Sequence, residues 1–203
     1  MRLNIMVTPL ICLMLLLSLY GCNSSTRSNK NPFNAHATLE QMDKLLAELQ
    51  DIDTIDCKNL DEIVTINEDM RGIVENIRTI DEFDRLVEAY QAKEHQITFS
   101  FSEDKQMGVF SWYTKMDCLG HVIKNIALFK SKDKVTASSL YGKSLIFNSI
   151  GSVQKDNGNV VYLLNGDRVS EEPTILGYTI TNGYLVESTM PVAEKTYVNN
   201  LLN

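Results

Sequence analysis

The chain changes character across Glu94-His95-Gln96-Ile97-Thr98-Phe99-Ser100-Phe101. Upstream of it, apolar residues recur every three or four positions; within it, Ile97, Phe99 and Phe101 alternate with Thr98 and Ser100. A strand sends successive side chains to opposite faces, whereas a helix returns to one face about every 3.6 residues, so the period changes here from helix to strand. Helices first and strands afterwards make an α+β fold.

Upstream, residues 37–95 read as an acidic helical subdomain of about three helices. Leu39, Met42, Leu46 and Leu49 share one face, and Thr38 with Gln41 has the spacing of a capping box. The stretch Ile52 to Lys58 breaks the pattern. From Asn59 onward, Ile63, Ile66, Met70, Ile73 and Ile77 keep a 3, 4 alternation, with Gly72 costing about 1 kcal/mol relative to Ala. Thr79 and Glu82 form another capping box, after which Phe83, Leu86, Val87 and Tyr90 restart the apolar face out of phase.

Downstream, residues 96–190 read as an antiparallel β domain, with a C-terminal tail at 191–203. Its candidate strands are Gln96–Phe101, Gly108–Thr114, His121–Phe129, Val135–Leu140, Ser144–Ile150, Asn159–Leu164, Thr174–Ile180 and Tyr184–Glu187. Short polar turns separate them, among them Glu103-Asp104-Lys105, Ser131-Lys132-Asp133, Asp156-Asn157-Gly158, Asn165-Gly166 and Thr181-Asn182-Gly183. A parallel crossover needs roughly a dozen residues, so loops this short join antiparallel neighbours into a meander. The pattern is compatible with a sandwich, an open sheet or a closed barrel.

Charge is concentrated in the helices. Residues 37–95 carry 16 acidic and 6 basic side chains, while 96–203 carry 10 of each. Such a surface repels nucleic acid and anionic headgroups, which leaves neutral or basic partners.

The N-terminus has one charge at Arg2, an apolar run of 15 residues from Ile5 to Leu19, and Gly21 just before Cys22. That run is shorter than the roughly 20 residues that cross a bilayer, and its layout is that of a signal peptide over 1–21. Leu19-Tyr20-Gly21-Cys22 resembles the lipobox of bacterial lipoproteins processed by the lipoprotein signal peptidase. The resemblance implies cleavage before Cys22 and lipidation of Cys22 with fatty acyl chains such as palmitate. Each buried methylene contributes about 0.8 kcal/mol, so several chains hold a protein to its membrane. Residues 22–36 read as a polar, flexible tether. Asn23 follows Cys22, where an Asp would resemble an inner-membrane retention signal. The expected location is therefore the outer membrane, facing the periplasm.

Cys12 leaves with the signal and Cys22 takes the lipid, so Cys57 and Cys118 remain as a candidate disulfide in an oxidising envelope. Their separation says nothing about geometry, and two buried free thiols are the alternative. Asp117-Cys118-Leu119-Gly120-His121 has metal-ligand character, but zinc needs three or four ligands and the domain's only other His is His95. No metal or other cofactor is expected there; a hairpin turn built on Gly120 accounts for the segment. A Cys118–His121 nucleophilic pair would need side-by-side geometry that one tight turn rarely supplies. Gly142-Lys143-Ser144 lacks the first glycine of a phosphate loop, and no serine has the nucleophile-elbow frame. Asp156-Asn157-Gly158-Asn159 lacks the ligand spacing of a calcium loop. Phe110, Trp112, Tyr113, Tyr141, Tyr162, Tyr178 and Tyr184 form either ordinary cross-strand packing or a stripe able to stack on sugars or peptides.

Ser102-Glu103-Asp104-Lys105, Phe110-Ser111-Trp112-Tyr113-Thr114, Gly120-His121 and Phe129-Lys130 together resemble a pattern in uncharacterised envelope lipoproteins of anaerobic gut bacteria. Those proteins show an Asp-Gly-Lys turn, a Ser-Trp-Asp-Thr strand end and a Gly-Gly turn; this chain departs at Gln106 and Tyr113 and has one Gly in the second turn. The likeness spans about Ile97 to Glu187 and implies no activity. In that group Asp53-Thr54-Ile55 resembles the O-glycosylation sequon, which makes Thr54 a candidate acceptor; otherwise it is a plain interhelix turn.

These readings point to a non-catalytic, membrane-anchored binding or scaffolding module, with an envelope protein partner docking on the acidic helices. The rivals are a lipocalin-like barrel carrying a small apolar ligand and an enzyme acting on envelope polymers, which would need paired carboxylates. Cys22→Ala should leave the precursor uncut and unlabelled when cells are fed a labelled fatty acid; label retained by the variant would refute lipidation at Cys22.

Overall fold

Asn34 opens the first helix, its side chain accepting from the Ala37 N–H at 3.1 Å. The computed structural model describes residues 32–155, 158–167 and 174–188; from Phe33 onward they belong to one unit. The signal, Cys22, most of the tether and the tail at 191–203 lie outside the described residues. Three helices, α1 (Ala35–Asp51), α2 (Leu60–Glu75) and α3 (Ile80–Ala92), precede eight strands. Among the described residues no helix is long and apolar enough to cross a membrane.

Two helix starts differ from the sequence reading. Thr38 lies inside α1, its hydroxyl donating to the Asn34 carbonyl at 2.9 Å, because Asn34 already caps the end. Asn59 precedes α2 in the left-handed region without a side-chain cap, and Asp61 and Glu62 in the first turn answer the helix dipole. The Thr79–Glu82 capping box forms reciprocally, with both bonds present.

Strands β1 (Thr98–Phe101), β2 (Met107–Met116), β3 (His121–Ser131) and β4 (Lys134–Ser139) form one antiparallel sheet in sequence order. Strands β5 (Ile146–Gln154), β6 (Val160–Asp167), β7 (Thr174–Thr181) and β8 (Tyr184–Ser188) form a second. The α+β meander of eight strands therefore takes the sandwich form, not the single open sheet or closed barrel that the pattern also allowed. Helices, first sheet and second sheet make three layers.

On its helix side the first sheet buries Phe99, Phe110, Trp112, Ile126, Leu128 and Val135 against Leu39, Met42, Ile63, Met70, Phe83 and Leu86. On its other side Met107, Val109, Ala127 and Phe129 meet Phe147, Ile150, Tyr162, Leu164 and Tyr178 of the second sheet. Gly108 is needed on the helix side, where a Cβ would sit 2.7 Å from Phe99 Cε2.

β6 runs on through Asn165 and Gly166 to Asp167 where the sequence suggested a turn. Gly166 stays extended because Phe147 Cδ1 occupies the space a Cβ would need, at 2.9 Å. The β7–β8 hairpin does turn at Asn182 and Gly183, both at positive φ (53° and 83°), the geometry of a two-residue type I′ loop.

Two sets of buried polar groups are partnered across the layers. Asn67 of α2 donates to the carbonyls of Ile63 and Thr114 at 2.7 and 2.9 Å and accepts from Trp112 Nε1 at 2.8 Å. Between the sheets, Ser111 donates to Asn125 at 2.6 Å, and Asn125 donates to the carbonyls of Lys143 and Leu145. Such bonds avoid the roughly 1–3 kcal/mol penalty of an unsatisfied buried group.

Gly72 sits within α2 with open space around it: a Cβ added there would meet nothing within 4 Å. Gly72→Ala should therefore raise unfolding free energy by about 0.5–1 kcal/mol in urea titration, since Ala costs less backbone entropy in a helix. A loss of stability would refute the open space beside it.

Candidate functional site

The α1–α2 connection and the β2–β3 connection meet at one pocket. The first forms a short 3-10 turn at Ile55–Cys57, held by Asp53, whose carboxylate accepts from the Ile55 N–H at 2.9 Å. The second forms another 3-10 turn at Asp117–Leu119, closed by Gly120 at φ 74°. The pocket between them, about 220 Å³, is lined by Thr54, Cys57, Lys58, Leu60, Ile63, Lys115, Asp117 and Cys118.

Both turns carry backbone in the left-handed region that L side chains seldom adopt: Cys57 at φ 59°, Asn59 at 57° and Lys115 at 56°. Lys115 interrupts the β2–β3 register between Tyr113 and Met116. Its ammonium group donates to the carbonyls of Gln50 and Ile52 at 2.5 and 2.7 Å. Those carbonyls belong to the end of α1, where no basic residue of the helix itself supplies charge, so Lys115 stabilises the negative end of the dipole from a different element.

Cys57 and Cys118 are thus brought together, both exposed and both free thiols. The neighbouring Cys118 thiol, ahead of desolvation and the repulsion of a Cys118 thiolate, pushes the Cys57 pKa up. Thr54 lines the same pocket half-buried and leads into the first turn. Among the described residues no three His, Cys, Asp or Glu side chains converge as a metal site would require. Cys22 lies outside the described residues.

A second cluster was not anticipated from sequence. Asp43 of α1 contacts His95 Nδ1 at 2.7 Å and accepts from the N–H groups of Gln96 and Ile97 at 2.9 and 3.0 Å. His95 stacks on Tyr90, and its side chain is fully buried. This one carboxylate fixes the passage from α3 into β1. The contacts span more than fifty residues, so no local spacing could reveal them.

The aromatic residues do not form one stripe. Phe110 and Trp112 pack under the helices, Tyr162 and Tyr178 pack between the sheets, and Tyr113, Tyr141 and Tyr184 are exposed at separate places. Lys143, from the segment that ends like a phosphate loop, pairs with Glu187 at 3.0 Å.

Burial, and secondarily the Glu187 carboxylate, push the Tyr178 hydroxyl up to about 12. Its neutral form is the favoured one in the folded protein, so the stability it contributes is intact below the unfolded value of about 10 and is lost as pH rises from there through about 12. With solvent screening allowed for, Tyr178→Phe should shed about 1 kcal/mol less stability than the natural chain between pH 9 and pH 11 in urea titrations. Equal losses would show that Tyr178 is not held neutral.

No protein-family model matches the chain, and neither the curated proteins nor the solved structures include one similar to it.

Proposed function

We propose that this chain is a non-catalytic binding or scaffolding module, lipid-anchored through Cys22 to the periplasmic side of the outer membrane, whose acidic helices receive a basic envelope protein. The observation that carries the reading is the pairing of a lipobox-like sequence, Leu19-Tyr20-Gly21-Cys22, with an acidic helical segment at 37–95. A tethered body with one strongly charged layer favours capture of an oppositely charged surface.

The arrangement of side chains on the helices narrows what the partner meets. The apolar seams of α1 and α2 are consumed inside the molecule, with Leu39, Met42, Leu49, Ile63 and Met70 all buried. What faces outward is charge. Four of the six basic residues of this segment are already occupied: Lys44 by Glu48, Arg71 by Glu68 and Glu75, Arg85 by Asp81, and Lys93 by Glu40. Asp51, Asp61, Glu62, Asp69 and Glu88 are exposed and have no ion pair among the described residues. Exposed pairs contribute little to folding, and unpaired carboxylates are the ones able to answer a basic partner at low desolvation cost.

The test neutralises Asp61→Asn, Glu62→Gln and Asp69→Asn together in the full chain, leaving every ion pair in place. In-cell cross-linking should then lose its partner bands several-fold while the protein stays in the membrane fraction. The natural chain's capture should weaken as salt rises, since the Debye length is about 8 Å at physiological ionic strength. Unchanged cross-linking by the neutralised chain would overturn the acidic-docking reading, and a soluble natural chain would overturn the anchor.

A further inference from the structure

We propose that Cys57 and Cys118 are a redox pair that closes into a solvent-accessible disulfide, covalently joining the α1–α2 corner to the β2–β3 hairpin. Three observations meet at this point. The two thiols, 61 positions apart in the chain, line one pocket of about 220 Å³. Both are exposed, so a thiol–disulfide carrier can reach them. Each sits on a short 3-10 turn outside the regular helices and strands, where side-chain rotation and a small shift of the turn can bring the two sulfurs to bonding distance.

The surroundings favour this chemistry over the alternatives. A structural thiol is expected to be buried and inert, and these are neither buried nor isolated. Among the described residues the pocket's carboxylate is Asp117, and no trio of metal-ligating side chains forms. The corner is already tied noncovalently through Lys115 to the end of α1. A bond between Cys57 and Cys118 would reinforce the same joint, and would close a loop holding α2, α3, β1 and β2.

The oxidant is a disulfide carrier, such as a thiol oxidoreductase or oxidised glutathione. One cysteine, as its thiolate, attacks the carrier's disulfide and forms a mixed disulfide, releasing the carrier's other sulfur as a thiolate. The second cysteine, deprotonated in turn, attacks the first cysteine's sulfur, forming the Cys57–Cys118 bond and expelling the carrier's remaining sulfur. The protein loses two electrons and two protons, and the carrier gains both as two thiols. Because the product is exposed, the reverse exchange with a reducing dithiol is equally open.

The chemistry needs only these two side chains, so its test is independent of where the protein resides. The full chain in detergent is equilibrated in glutathione buffers from reducing to oxidising, quenched by alkylation and digested with trypsin. Cleavage after Lys44, Lys58, Lys115 and Lys124 isolates Cys57 in the peptide 45–58 and Cys118 in 116–124. On the oxidising side these two peptides should be recovered joined, and excess dithiothreitol should separate them. Closing a loop of this length should raise the melting temperature of the oxidised over the reduced protein by about 5–10 °C, and Cys57→Ser should abolish that difference. Separate glutathione adducts with no joined peptide across the whole range would overturn the proposal. So would a joined peptide without any change in melting temperature, since the bond would then not tie the corner.

Discussion

Strand β2 runs from Met107 to Met116 with both of its faces buried as far as Trp112, and the rest of the molecule is arranged to cover them. Phe110 and Trp112 face the helices, while Met107 and Val109 face the second sheet. Because side chains alternate strictly, a slip of one residue would exchange the two sets, putting Trp112 between the sheets and Val109 under the helices. The register is held by fit. Gly108 leaves room for Phe99, and Asn67 accepts the Trp112 indole N–H. On the opposite face Ser111 and Asn125 bind each other and reach backbone groups of the second sheet and its approach. Two chemically distinct interfaces thus act on one strand and leave it a single register.

Much of this order was legible in local periodicity. All eight strands, the three helices, the break at Ile52 to Lys58 and the Thr79–Glu82 box follow from spacing alone, because each depends on neighbours within a few residues. What spacing could not reveal was the shape of the meander. A sandwich and a barrel share the same hairpins, and they differ in whether the first and last strands pair, which is a long-range property. The misread turn at Asn165-Gly166 has the same origin: a glycine in a strand and a glycine in a turn look alike until Phe147 is known to pack against it. Residue types pointed to Cys57 and Cys118, but their place in one pocket depends on two 3-10 turns and the left-handed Lys115. The Asp43–His95 contact lay wholly beyond local reading.

The helical layer combines two roles that usually compete. Its inner faces are mostly apolar and bury against the first sheet, while its outer faces carry excess negative charge that opposes compaction. Part of that charge is used constructively. Asp43 fixes the start of β1, Asp84 meets Lys130 of β3 at 2.6 Å, and Glu82 completes a cap. These carboxylates tie helix to sheet or close a helix end, so their charge is offset by bonds that the fold itself requires. The carboxylates without such a bond lie outward, where solvent screens them and a basic surface can reach them.

The corner that holds Cys57 and Cys118 is open to solvent at its turns. Ile55 and Leu119, the apolar residues of those two turns, are 66% and 50% exposed, so they contribute little hydrophobic burial. Lys115 supplies the alternative, binding two terminal carbonyls of α1 from a strand. Charge-assisted bonds at a partly exposed site weaken as salt or local opening admits water. A covalent link placed there acts on the motion that burial leaves unrestrained, whereas the same link within the core would constrain atoms already fixed by packing. The position of the thiol pair follows the distribution of packing energy in the fold: where the layers interlock the chain uses Phe99, Phe110 and Trp112, and where they do not it sets an ammonium group and two sulfurs.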